Sequence, residues 1–188
     1  MFRLAALILI ALTLPAAAHL GHPHGDIWSG ALHPLTGADH CAAMVTVGAW
    51  SALSGGSRVW VWPLTFVASM LGGAALAYQG VVIPYIEQGI TASLVIVGLL
   101  LALAIDLPVA FGAVLVGAFA IFHGYAHGVE TAEAGALPFM AGFAVTTAAL
   151  HAAGIGIARA VVAAFSVVPV RVLGAATASI GLGLLIIK

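Results

Sequence analysis

At 188 residues, the chain is 63% hydrophobic and only 6% charged, with a formal net charge of −1. A soluble domain carries roughly 25% charged residues, so this composition, with a mean hydropathy of +1.22, excludes a soluble globule and predicts an all-α integral membrane protein. There is no basic run to hold nucleic acid, and the single cysteine, Cys41, can form no internal disulfide.

Met1 to Ala18 (MFRLAALILIALTLPAAA) combines a positive start at Arg3, an apolar stretch from Leu4 to Leu14 and a small-residue end at Ala16, Ala17 and Ala18. Pro15 breaks the stretch, which is short for a span, so residues 1–18 read as a cleavable secretory signal peptide. The mature chain, 19–188, then forms one six-helix transmembrane domain in a bacterial inner membrane, with its N-terminus outside. Six apolar segments follow, at 28–53, 60–79, 86–105, 109–128, 136–158 and 170–187. Pro63, Pro84, Pro108, Pro138 and Pro169 stand at or near segment ends, where proline is tolerated. Trp60 and Trp62 read as interfacial aromatics at one end of the second segment.

Charge in the connections supplies an independent orientation. Arg58 and Arg159 fall in the predicted inner connections 54–59 and 159–169, and Arg171 lies just beyond. Glu87, Glu130 and Glu133 fall on the outer side, so positive residues lie inside; Lys188, at an outer C-terminus, is the exception. Asp106, just before Pro108, reads as a turn residue. Glycine is abundant, at 23 residues, and its clusters within spans allow close helix approach.

Eight histidines outnumber both the five Lys+Arg and the six Asp+Glu. Ionisable groups inside a bilayer are expensive and rarely idle. In the first span, His33 and His40 are seven residues apart and share a helical face, while Asp39 points about 120° away on a regular helix. Pro34 and Gly37 argue against a regular helix here, and a broken turn could bring all three together. In the fourth span His123, His127 and Glu130 are spaced i, i+4 and i+7, so they lie on one stripe. Two imidazoles at that spacing chelate a metal, and the carboxylate adds a third ligand. On the predicted topology both clusters belong to the outer half of the membrane and can form one composite site.

Other candidates carry a competing bland reading. Met44, one turn after His40, offers a thioether and Cys41 a thiolate, though both residue types more often pack. His151, in the fifth span, reads as about 15 residues deeper, roughly 22 Å at 1.5 Å per residue. It is either the next station on a path or a hydrogen-bonding residue between helices. His22 and His24, with Asp26, follow the signal peptide and either collect metal or form a solvated leader.

The two clusters resemble the HupE/UreJ family of hydrogenase- and urease-associated nickel permeases. The resemblance rests on His33-Pro34, Gly37 and Asp39-His40 followed by Met44, Val47 and Gly48, and on Phe122-His123-Gly124, Ala126-His127-Gly128 and Glu130. It covers essentially the whole mature chain. It implies that His33, Asp39, His40, His123, His127 and Glu130 form a metal route and that the ion is nickel or cobalt. Related nickel/cobalt transporters carry a His-x4-Asp-His signature; the spacing here is His-x5-Asp-His. The family's second motif often has a proline soon after the glutamate, whereas Thr131-Ala132 follows Glu130 in this chain.

These features predict uptake of a divalent transition-metal ion, with the ion as cargo and no resident cofactor. Ligand chemistry alone leaves nickel, cobalt, copper and zinc open. The ligands must be deprotonated to bind, so affinity should fall as pH drops through roughly 6 to 7. No Gly-rich nucleotide loop is present; the membrane potential, about 2.3 kcal/mol per charge per 100 mV, is one available drive. The metal ion and the bilayer are the expected partners, while a homo-oligomer or a metallochaperone contact is not specified. Two other readings stay open: an intramembrane metal-dependent hydrolase, which needs an acid/base such as Glu130, and an accessory protein that holds metal without passing it.

Overall fold

The computed structural model describes residues 25–54, 56–131 and 136–187. The predicted signal peptide, His22, His24, Glu133 and Lys188 lie outside the described residues. Those described form seven α helices and one turn of 3-10 helix, with no strand among them.

Asp26 caps α1 (Ile27–Thr36), its carboxylate accepting from the Ser29 N–H at 2.6 Å. Pro34 lies inside this helix and removes one backbone donor, and the helix stops at Thr36. Gly37 is extended (φ −96, ψ 114), and its carbonyl then accepts from the Cys41 N–H at 3.0 Å to open α2 (Ala38–Ser54). The predicted single span 28–53 is therefore two helices, because the extended glycine breaks the backbone ladder.

A 3-10 turn, Gly56–Arg58, leads into α3 (Val61–Tyr78), followed by α4 (Ile86–Ala102), α5 (Val109–Thr131), α6 (Ala136–Ala164) and α7 (Val168–Ile187). Two boundaries shift with consequence. Helix α5 continues past residue 128, so Glu130 is helical, and α6 continues past 158, so Arg159 sits on a helix rather than in a connection. Helix α4 instead stops short of the predicted 105. Among the described residues, four segments are long and apolar enough to cross a membrane: Gly56–Tyr78, Val109–Thr131, Leu137–Ala164 and Val168–Ile186. Helix α4, at 17 residues, is shorter.

Small residues set the packing. Helices α1 and α2 lie against α6, α3 against α5, and α4 against α7. A Cβ at Gly73 would strike the Ile121 carbonyl, and one at Gly124 the Met70 carbonyl. Gly72, one residue from Gly73, faces open space. Gly124→Ala is therefore expected to destabilise the protein by about 2–3 kcal/mol through overpacking. Gly72→Ala should stay within about 0.5 kcal/mol of wild type. Thermal melting in detergent compares the two; equal losses would remove the steric argument.

The core gathers Met44, Trp50, Trp62, Phe66, Met70 and Phe143. Phe111, Val114, Leu137, Val145 and Phe165 face outward, each between 68% and 81% exposed. Large apolar side chains distributed over an outer surface suit hydrocarbon rather than water, in keeping with a membrane protein. Trp62 corrects the sequence reading. It is buried rather than interfacial and stacks on Trp50 with 4.0 Å between ring centroids. Both indole N–H groups need acceptors in an apolar interior, and they find the Ile105 and Val109 carbonyls at 2.9 Å. Trp60, 49% exposed, keeps the interfacial character.

The two ends of the bundle differ chemically. Arg171 donates to the Ala102 carbonyl at 2.6 Å, and Arg159 lies beside Leu53, so both belong with Arg58 and the tryptophan pair at one end. Histidines and carboxylates gather at the other.

Candidate metal centre

The break at Gly37 positions the first half of the site. A Cβ there would meet Asp39 Oδ1 and His40 Nδ1, each at 2.9 Å, so only glycine leaves room for this pair. Asp39 Oδ1 accepts from the His40 backbone N–H and from His40 Nδ1, both at 2.9 Å. The second half comes from α5, where Glu130 Oε2 lies 3.0 Å from His127 Nδ1. His40 Nε2 and His127 Nε2 then approach to 2.8 Å, joining α2 to α5. His33, on α1, places Nε2 3.9 Å from Glu130 Oε2 and its ring 4.6 Å from that of His127. His123 sits deeper, its ring 5.5 Å from His40. All six residues singled out by spacing thus lie in one contiguous group.

Proton accounting shows what this group can do. An ionised carboxylate only accepts hydrogen bonds, so Nδ1 of both His40 and His127 carries the proton. Their Nε2 lone pairs then face each other across 2.8 Å. Facing lone pairs repel, so either a proton shared between the two nitrogens or a metal ion bound by both stabilises this arrangement. Carboxylates behind imidazoles also form the usual outer shell of metal-binding histidines, fixing tautomer and ring direction. Ligand atoms of His33, His127 and Glu130, all within 4.8 Å of one another, offer an alternative three-atom grip.

The group has a wet and a dry side. Side-chain exposure is 57% at Glu130 and 33% at His33, but 3% at His127. Phe139 and Phe143 wall it, with Phe143 4.6 Å from the His127 ring. Thr131 donates to the His127 carbonyl at 2.7 Å and meets Tyr78 at 3.1 Å, tying the end of α5 to α3.

Several placements differ from the sequence reading or escaped it. Met44 is fully buried in the apolar core, and Cys41 is half-buried outside the three-residue grip. His151 is nearer than a whole span. Phe66 packs against both it and His123, at 5.0 Å from the first ring and 5.6 Å from the second. Gly48 lets α6 press its His151 backbone against α2. Ser93, which contacts His123 Nε2 at 2.9 Å, was not singled out. Its only sequence signal was a hydroxyl within an apolar span.

Comparison with known proteins covers nearly the whole chain. The family model described as HupE / UreJ protein matches residues 7–184. The chain is 40% identical over 182 residues to a protein named Protein HupE from Rhizobium leguminosarum bv. viciae, covering 95% of each. No solved structure matches.

Proposed function

The chain belongs to the HupE/UreJ family, and from that premise we propose that it carries a divalent transition-metal ion, nickel foremost, inward across the membrane. The carrying observation is the 2.8 Å approach of two Nε2 atoms whose opposite nitrogens are each held by a carboxylate. Asp39 and Glu130 together bring two negative charges, so a dication makes the loaded group neutral, which low-dielectric surroundings favour. Nickel over copper rests on the likeness to nickel permeases.

In this reading α1 and α2 together make the first of six spans, with the histidine end outside and the arginine end inside. His33, Asp39 and Glu130 receive the ion from water, and His40 and His127 strip its remaining shell. His123 takes it deeper, toward a floor closed by the Trp50–Trp62 stack. The chemistry is ligand exchange, with no covalent step.

Purified full-length protein in liposomes should import labelled nickel, with lower rates as external pH falls and protons compete with the ion for imidazole. Uptake equal to that of empty liposomes, with metal bound, would favour a metal-holding role and end the transport reading.

A further inference from the structure

Behind the outer group, three imidazole nitrogens are buried with no hydrogen-bond partner among the described residues: His123 Nδ1 and both ring nitrogens of His151. Hydrogen-bond accounting defines the first. Ser93 Oγ lies 2.6 Å from the Ile90 carbonyl and 2.9 Å from His123 Nε2. A hydroxyl has one proton and a carbonyl only accepts, so Ser93 donates to Ile90 and accepts from His123 Nε2–H. Neutral His123 therefore presents a bare lone pair on Nδ1, inside the protein and away from water. His151, fully buried on α6, is likewise bonded to nothing through its ring.

Such atoms are a net cost to folding, and native interiors leave few of them. Here both imidazoles that carry them pack against one phenyl ring. Phe66 stands 5.6 Å from His123 and 5.0 Å from His151, tilted 74° to the latter. One turn along α3, Met70 receives a hydrogen bond at its sulfur from Thr147, itself one turn before His151 on α6. Helices α3, α5 and α6 thus each bring an imidazole or a thioether to the surroundings of Phe66.

We propose that His123 and His151 form a second, inner metal station, entered from the outer group when the Phe66 ring moves aside. This rests on the transport reading above and extends its route by one step. Neither imidazole is hydrogen-bonded to a carboxylate, as His40 and His127 are, so a dication here has less charge balance than outside. The inner station therefore holds the ion more weakly, which suits onward release.

The test makes the station hold what it would otherwise pass. In a Cys41→Ser background, His151→Cys places a thiolate-forming ligand at the inner position. With Co²⁺ as the probe, the purified full chain should develop near-ultraviolet thiolate-to-cobalt charge-transfer absorption. The same background retaining His151 should not. His151→Gln, which keeps bulk and polarity, should lower initial nickel uptake into vesicles about tenfold, and uptake equal to wild type would overturn the inner station. Co²⁺ bound by the His151→Cys protein without the thiolate band would overturn the inner station and leave the transport reading standing. Failure of the Cys41→Ser parent to bind either Co²⁺ or Ni²⁺ would bring down both.

Discussion

Replacing His127 by alanine is expected to lower the initial rate of nickel uptake by at least about a hundredfold. His127 occupies the middle of the group. Its Nδ1 engages Glu130 at 3.0 Å, its Nε2 faces His40 at 2.8 Å, and its ring touches those of His33 and Phe143 at 4.6 Å. The substitution removes a ligand, releases the Glu130 carboxylate and leaves His40 Nε2 facing a void. Interactions of charged groups are worth about 1.5–3 kcal/mol each. Losing two of them amounts to about 3–6 kcal/mol, or two to four decades at 1.4 kcal/mol per decade. His127→Gln, which fills more of the space beside Phe143, controls for collapse of the packing. The assay is nickel accumulation in vesicles normalised to folded protein. Uptake within about threefold of wild type for both variants would place the route elsewhere.

The parts legible in the sequence were those governed by local rules. The i, i+4, i+7 spacing put His123, His127 and Glu130 on one stripe of α5, and the helix carries them so. Pro34 and Gly37 marked a break, and the break occurs there because Pro34 lacks a backbone donor and Gly37 is extended. Helix ends were less legible. Nothing in hydropathy distinguishes Thr131 from residue 128 as the end of α5, or places Arg159 on a helix rather than beyond it.

Long-range relations were the least legible, since they depend on how closely helices pack. Trp62 looked interfacial because it begins an apolar run; its burial follows from Gly112, whose missing Cβ leaves room for the indole. Ser93 became meaningful only when its hydroxyl was found on His123. Two clusters on distant segments meeting at one point was an expectation from depth. The 2.8 Å contact that joins them is a property of side-chain direction, which spacing does not encode.

The second large effect separates the two carboxylates. Asp39→Asn keeps an oxygen at Oδ1 to accept from the His40 N–H and Nδ1, so it removes charge while preserving the local bonds. Glu130→Gln does the same at His127. Both are neutralisations about 5 Å from a bound dication, so the difference lies in the surrounding dielectric. Asp39 is 32% exposed and Glu130 57%. At an effective dielectric near 20, one charge facing a dication at about 5 Å is worth about 6 kcal/mol, and in bulk water about 2 kcal/mol. Asp39 lies toward the first limit and Glu130 toward the second, both discounted by solvent screening. Asp39→Asn is therefore expected to raise the nickel concentration for half-maximal uptake by at least about a hundredfold, and Glu130→Gln by about tenfold. Raising ionic strength should shrink the Glu130 effect and leave the Asp39 effect nearly unchanged, because screening reaches exposed charges first. If Glu130→Gln proves the more damaging, its carboxylate is a direct ligand of the ion, and the grip formed with His33 and His127 replaces the His40–His127 pair as the primary site.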